Sequence, residues 1–89
     1  MAKWTKTLGR VLRGTSDTNI RFLDLCDLLR HLGFMERVRG DHHIFVRKDI
    51  EEILNIQPKG SQAKAYQVRQ ARNIIIRYCL PEETDEDAD

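Results

Sequence analysis

The chain has 89 residues, enough for one domain with a modest hydrophobic core. Its 40% hydrophobic and 33% charged residues are typical of a soluble globular protein, and no apolar run approaches the roughly 18 residues that a membrane span requires. The first residues carry charge but no continuous apolar segment, so we expect no signal peptide, no membrane partner and a cytoplasmic location.

The net charge of +1 conceals an uneven distribution along the chain. Six of the 14 acidic residues lie in positions 81–89, which contain no basic residue and which we predict to be a disordered acidic tail. Positions 1–80, predicted to form a single folded domain, carry a net charge of +7 without that tail. A basic domain favours a polyanionic partner such as nucleic acid, and an ordinary solvated surface is the alternative.

Two helices are predicted in the N-terminal half. Apolar residues recur at helical spacing over residues 3–13, and Gly14 predicts the end of that helix. A second apolar stripe runs from Phe22 to Leu32, followed by Gly33 in the position of a C-terminal helix glycine. The polar segment between the helices contains the candidate N-cap residues Ser16, Asp17 and Asn19.

The C-terminal half predicts a sheet and a last helix. The predicted strands are residues 34–39, 42–48 and 52–57. A tight turn at Gly40-Asp41 joins the first two, and residues 49–51 connect the second to the third. Residues 58–61 break the pattern, and a helix follows over residues 66–78. The order α-α-β-β-β-α predicts an α+β fold, with helices packed on one face of a three-stranded antiparallel sheet.

The segment from Arg37 to Phe45 concentrates residue types suited to phosphate chemistry. It holds Arg37 and Arg39, then the Gly-Asp turn, then His42 and His43. Histidine transfers protons near neutral pH, and arginine holds phosphate and stabilises developing negative charge. Adjacent strand residues point to opposite faces, so the two histidines are not expected to act as one pair. A plain hairpin with polar ends is the alternative interpretation.

A second basic segment precedes the last helix. Lys59 and Lys64 lie in the loop before it, and Arg69 lies in its early turns. Cations beside the free backbone N–H groups of a helix start favour a phosphate backbone, and a solvated loop is the alternative. Tyr66, at the start of the same helix, is open to two interpretations: stacking on a base, or a packing role at the helix start.

Neither the cysteines nor the acidic residues indicate a metal site. Cys26 and Cys79 stand far apart, and no spacing of cysteine and histidine fits a zinc site. We predict two free thiols, with Cys26 buried in the stripe of the second helix. No cluster of carboxylates suits two-metal catalysis, so we predict no metal and no other cofactor.

Several segments together share the pattern of a known protein family. They are Leu32-Gly33-Phe34, Arg39-Gly40-Asp41-His42-His43-Ile44-Phe45, Asn55-Ile56-Gln57-Pro58-Lys59-Gly60 and Lys64-Ala65-Tyr66-Gln67-Val68-Arg69-Gln70-Ala71-Arg72. In this order, over about residues 7–80, the chain resembles the HicA family of toxins from type II toxin–antitoxin systems. The resemblance implies a fold similar to the double-stranded-RNA-binding domain. It also implies a metal-independent endoribonuclease that cuts mRNA and is held inactive by a HicB-like antitoxin.

The resemblance also implies roles for particular residues. The histidine that follows a Gly-Ser pair in the family corresponds to His42, which becomes the expected catalytic residue, and His43 is the second candidate. The residues expected to position RNA phosphates are Arg37, Arg39, Lys59, Lys64 and Arg69. The sequence departs from the family pattern at Asp41, where the family usually has Ser. The departure puts full activity in doubt, because a carboxylate there adds negative charge beside the histidine.

Two other functions remain open at this stage. A non-catalytic RNA-binding module of the double-stranded-RNA-binding type is favoured by the charge of Asp41. A protein-interaction domain would use the basic surface for an acidic partner. The acidic tail is either a disordered end or a segment that competes with RNA for the basic surface.

Overall fold

The computed structural model describes residues 2–81, so the predicted tail falls outside it except for Pro81. The helices are α1 (Lys3–Arg13), α2 (Phe22–His31) and α3 (Ala65–Arg77). The strands are β1 (Met35–Arg39), β2 (His42–Arg47), β3 (Ile50–Ile56), β4 (Pro58–Lys59) and β5 (Gln62–Ala63). The first three strands form one antiparallel sheet in the order β1-β2-β3. The predicted α+β class and the order α-α-β-β-β-α are confirmed.

The first helix follows its sequence signals closely. α1 ends at Gly14, whose φ of 72° is the left-handed conformation that glycine adopts without steric cost. Val11 is fully buried, and Trp4 and Leu8 pack against the core from the same helix. The predicted bounds of residues 3–13 and the glycine stop are confirmed. No helix in residues 2–81 combines the length and the apolar character needed to cross a membrane.

The predicted capping of α2 by Ser16, Asp17 or Asn19 is wrong. The helix begins after Arg21, which makes no capping bond with its side chain. The earlier polar residues instead form a 3-10 turn over Asp17–Asn19. Asp17 is drawn away from the helix start because its carboxylate accepts hydrogen bonds from Arg72 in α3.

A small hairpin fixes the start of α2 in place of a side-chain cap. β4 and β5 pair around a turn in which Gly60 has a φ of 61°, so the predicted break at residues 58–61 is a second hairpin. The backbone N–H of Phe22 donates to the carbonyl oxygen of Ser61 at 3.0 Å. The N–H of Ala63 donates to the carbonyl oxygen of Ile20 at 2.8 Å. The hairpin therefore satisfies backbone groups that would otherwise need water or a capping side chain.

The three-stranded sheet has one covered and one open face. Phe45, Leu54 and Ile56 point toward the helices and are almost completely buried. Met35 and Ile53 remain largely exposed on the side away from the helices. The helices therefore cover one face only, as the sequence predicts.

The third strand is longer than predicted. β3 begins at Ile50, which pairs with Arg47 of β2, so the β2–β3 connection is Lys48-Asp49 and the predicted connection at 49–51 is too late. Ile50 is buried in the core, and this burial extends the strand across Glu51, a charged residue that sequence preference alone assigns to the connection.

Candidate functional site

His42 is the first residue of β2 and lies at the mouth of the Gly40-Asp41 turn, opposite Arg39 on β1. Side chains alternate along a strand, and Phe45 points into the core, so His42 lies on the open face of the sheet. Its side chain is 46% exposed. The predicted catalytic imidazole is therefore accessible to a ligand from solvent.

A hydrogen-bond chain from Lys64 determines how the His42 ring is approached. The Nζ of Lys64 lies 3.3 Å from the Oε1 of Gln57 and donates to it. Because an ammonium group has no acceptor, the oxygen of Gln57 must face Lys64, and its NH₂ group must face the opposite way. That NH₂ group lies 3.2 Å from the Nε2 of His42 and 3.4 Å from the Oδ1 of Asp41. The Nε2 of His42 is therefore the acceptor of this contact.

The second ring nitrogen of His42, Nδ1, carries the proton in the tautomer that these contacts require. A neutral imidazole with an unprotonated Nε2 carries its proton on Nδ1. The Nδ1 lies 3.0 Å from the Oδ1 of Asn55 on β3 and donates to it. Asn55 and Gln57 thus hold the ring from both sides, and the unprotonated Nε2 accepts from the Gln57 amide. This is the state in which histidine acts as a general base.

A buried amide ties α3 to the same end of β3. Gln67 is only 2% exposed, although it lies on a helix. Its Oε1 accepts the backbone N–H of Gln57 at 3.0 Å, and its Nε2 donates to the carbonyl oxygen of Asn55 at 3.2 Å. The same Nε2 lies 3.3 Å from the hydroxyl oxygen of Tyr66. Gln67 therefore fixes the backbone of both residues that hold His42.

The three predicted cations of the C-terminal half lie together. Lys59, Lys64 and Arg69 border one shallow surface depression, and Tyr66 lines the same depression. Lys64 connects this depression to His42 through the side chain of Gln57. The structure therefore joins Lys64 to His42, although the two residues are 22 positions apart in the sequence.

The two predicted arginines of β1 lie on the open face of the sheet. Arg37 and Arg39 border a second depression, whose floor includes Ile44 and Ile53. Arg39 is the cross-strand neighbour of His42, whereas Arg37 is opposite Ile44, two residues further along β2. Arg39 is therefore the β1 cation nearest the histidine along the ladder, and Arg37 extends the basic surface away from it.

The arrangement of these groups determines what chemistry the site can perform. Comparisons with protein-family models, curated proteins and solved structures find no match to this chain. What the geometry offers is an accessible imidazole with an acceptor at Nε2, held by two amides and flanked by cations. Such a group can remove a proton from a hydroxyl placed beside a bound phosphate.

His43, the second candidate, lies on the covered face of the sheet. Its Nδ1 is 2.6 Å from the Oε2 of Glu36, and its ring meets Phe22 edge-on with centroids 4.9 Å apart. The other oxygen of Glu36 accepts from the Nε of Arg30 at 2.8 Å. The hydrogen bond from Arg30, aided by the one with His43, holds the pKa of Glu36 below its ordinary value. His43 therefore fastens β2 to β1 and α2.

His43 and Glu36 also lie near Cys26, and the three supply ligand atoms within 4.8 Å of one another. Burial raises the pKa of Cys26 to about 12, so the thiol is protonated at neutral pH in this structure. Both oxygens of Glu36 are already engaged. The cluster as it stands is a packing arrangement. Cys26 and the exposed Cys79 are both free thiols, as predicted.

Proposed function

We propose that this chain is an mRNA-cleaving toxin of the HicA type, in which the Nε2 of His42 removes the proton of a ribose 2′-hydroxyl. The observation that carries the proposal is the ordered chain from Lys64 through Gln57 to His42 and Asn55. It leaves an acceptor at Nε2 beside cations on the accessible side of the sheet. The sequence resemblance adds a fold of the double-stranded-RNA-binding type, a HicB-like antitoxin and a cytoplasmic location to the proposal.

The proposed reaction is an internal transfer within the RNA strand. The 2′-oxygen loses its proton to His42 and attacks the adjacent phosphorus, and the bond from phosphorus to the 5′-oxygen breaks. The 5′-oxygen leaves as a hydroxyl with a proton from solvent, to which the half-exposed site is open. The products carry a 2′,3′-cyclic phosphate and a 5′-hydroxyl. In the free protein the Gln57 amide contacts Nε2, so the substrate hydroxyl displaces it.

Charges around the histidine have distinct roles in this mechanism. Lys64 and Arg39 stabilise the negative charge that develops on the phosphate oxygens. The Oδ1 of Asp41 lies 3.9 Å from the Nε2 of His42 and stabilises the imidazolium that forms when the proton is taken. Asp41 also lowers the local positive potential that attracts phosphate. This second effect favours the alternative function, an RNA-binding module without catalysis.

The test compares cleavage with binding in two histidine variants. Wild type, His42→Ala and the control His31→Ala are incubated with RNA in the presence of a chelator, and product ends are identified by mass spectrometry. We expect His42→Ala to lower the rate by about 10²- to 10⁴-fold, because a positioned proton acceptor is lost. His31 contacts Trp4 at the end of α2 and should be dispensable for cleavage.

Binding is measured separately with 2′-O-methyl RNA, which lacks the attacking hydroxyl. His42→Ala should bind it with nearly the wild-type affinity and should no longer inhibit growth on expression. A toxic His42→Ala variant, or 5′-phosphate products that form only with Mg²⁺, would contradict the proposal. Wild-type protein that binds RNA with steep salt dependence but never cuts it would support the binding module instead.

A further inference from the structure

Tyr66 presents an aromatic ring at the surface in a fixed position. It lies in the first turn of α3, and the residue is 49% exposed. Its hydroxyl oxygen accepts from the Nε2 of Gln67, which also bonds the carbonyl oxygen of Asn55. The ring is therefore anchored to the same buried amide that holds the His42 site, while much of its surface remains open to solvent.

Positive charges lie in the same surface depression as this ring. Lys59, Lys64 and Arg69 border the depression that Tyr66 lines. An exposed aromatic among cations is the arrangement that binds single-stranded nucleic acid, because the ring stacks on a base while the cations hold the flanking phosphates. The faces of bases inside a duplex are already covered by their neighbours, so such a ring selects an unpaired base.

We infer that Tyr66 is a stacking platform for one unpaired nucleobase beside the phosphate held by Lys64, so that the substrate class is single-stranded RNA. The position of the base relative to a scissile phosphate rests on the proposed function. The stacking itself contributes to RNA binding and does not require cleavage. The hydroxyl of Tyr66 orients the ring through Gln67 but does not itself contact the stacked base, which separates this inference from one in which the hydroxyl transfers a proton.

The experiment is a double-substitution cycle on protein and ligand. The protein is the full chain with Tyr66 intact, with Tyr66→Phe or with Tyr66→Leu, and thermal unfolding confirms that each is folded. The ligand is a 2′-O-methyl oligonucleotide, either complete, lacking one base, or in duplex with its complement. None of these ligands can be cleaved by attack of a 2′-hydroxyl of the 2′-O-methyl strand, so the measurement does not depend on catalysis.

We expect Tyr66→Leu to weaken binding of the complete single strand by about 5- to 150-fold, the range measured for loss of a base–aromatic stack. Tyr66→Phe keeps the ring and loses only the hydrogen bond to Gln67, so its loss of affinity should be clearly smaller than that of Tyr66→Leu. With the oligonucleotide that lacks the stacked base, Tyr66→Leu should lower the affinity very little, because the ring no longer has a base on which to stack. The duplex should bind equally to all three proteins.

Three results would overturn the inference: equal affinities of the wild type and Tyr66→Leu for the single strand, a Tyr66→Phe loss as large as that of Tyr66→Leu, or an equal loss with every ligand. These outcomes are independent of the proposed reaction. If the affinities show coupling between the ring and the base but the protein never cuts RNA, the stacking role of Tyr66 stands and the proposed cleavage activity is refuted. If RNA is cut in a reaction that needs His42 but the affinities show no coupling at Tyr66, the cleavage activity stands and the stacking role is refuted.

Discussion

The ion pair of Asp17 and Arg72 joins the segment after α1 to the middle of α3. The guanidinium donates two hydrogen bonds to the carboxylate, at 2.8 and 3.1 Å, and one to the carbonyl oxygen of Val11 at 3.2 Å. The side chains are only 14% and 17% exposed. Replacing Asp17 by Asn preserves the shape of the side chain but leaves the cation of Arg72 without its counter-charge.

The expected cost of Asp17→Asn follows from this geometry. A hydrogen bond to a charged group contributes about 1.5–3 kcal/mol, and the cost rises when a largely buried charge loses its partner. We therefore expect the free energy of unfolding to fall by about 2–3 kcal/mol. For a domain of this size that corresponds to a fall in Tm of about 8–24 °C, measured by circular dichroism.

A matched control is Asp49→Asn, since Asp49 also pairs with an arginine, Arg47, at 2.9 Å but is 57% exposed. Exposed pairs contribute about 0.2–1 kcal/mol, so this variant should unfold close to the wild-type temperature. Similar small losses in the two variants would refute the reasoning, because the greater burial of Asp17 would then have no energetic effect.

The same pair predicts a pH dependence. The hydrogen bond from Arg72 holds the pKa of Asp17 below its ordinary value in the folded protein. A lowered folded pKa contributes stability that is present above the ordinary carboxyl range and is lost as pH falls through the folded pKa. The difference in stability between wild type and Asp17→Asn should therefore shrink between about pH 5 and pH 2. A difference that stays constant with pH would contradict the assignment.

Three further outcomes are expected. A thiol reagent should modify exposed Cys79 in the native protein and reach buried Cys26 only after denaturation, giving one and then two reactive thiols in a colorimetric assay. Lys59→Gln and Arg69→Gln should each reduce the slope of log affinity against log salt by about 0.7 for a single strand, measured by fluorescence titration. Asn55→Leu should slow cleavage by at least about tenfold without weakening binding, and ¹⁵N NMR should show the ring proton leaving Nδ1.

The elements themselves could largely be predicted because their signals are local. The apolar period of α1 and the stop at Gly14 depend on neighbouring residues, and both are correct. Asp17 shows where this reasoning fails. Its position in the sequence predicts a helix cap. Its actual partner, Arg72, is 55 residues away along the chain and is brought near only by the packing of α3. A polar residue close to a helix start has competing partners, and a partly buried guanidinium is the stronger one.

The site could be predicted only in outline. His42 and its cations are visible in the sequence as residue types suited to phosphate chemistry. Asn55, Gln57 and Gln67 were missed as functional residues, because amides at a strand end or on a helix have no spacing that marks them. One signal was present: Gln67 lies beside Val68 on the buried face of α3, and a polar side chain in a core position requires hydrogen-bond partners.

The β4–β5 hairpin has a consequence for affinity. Its backbone is tied at Ser61 and Ala63 to Phe22 and Ile20 at the start of α2. Lys59 therefore projects from a segment that is already ordered, and Lys64 directly follows that segment. Ordering a free loop around a ligand costs conformational entropy, which weakens binding. Here that entropy is lost during folding of the chain, so in the proposed function the two lysines meet a phosphate with most of their backbone freedom already removed.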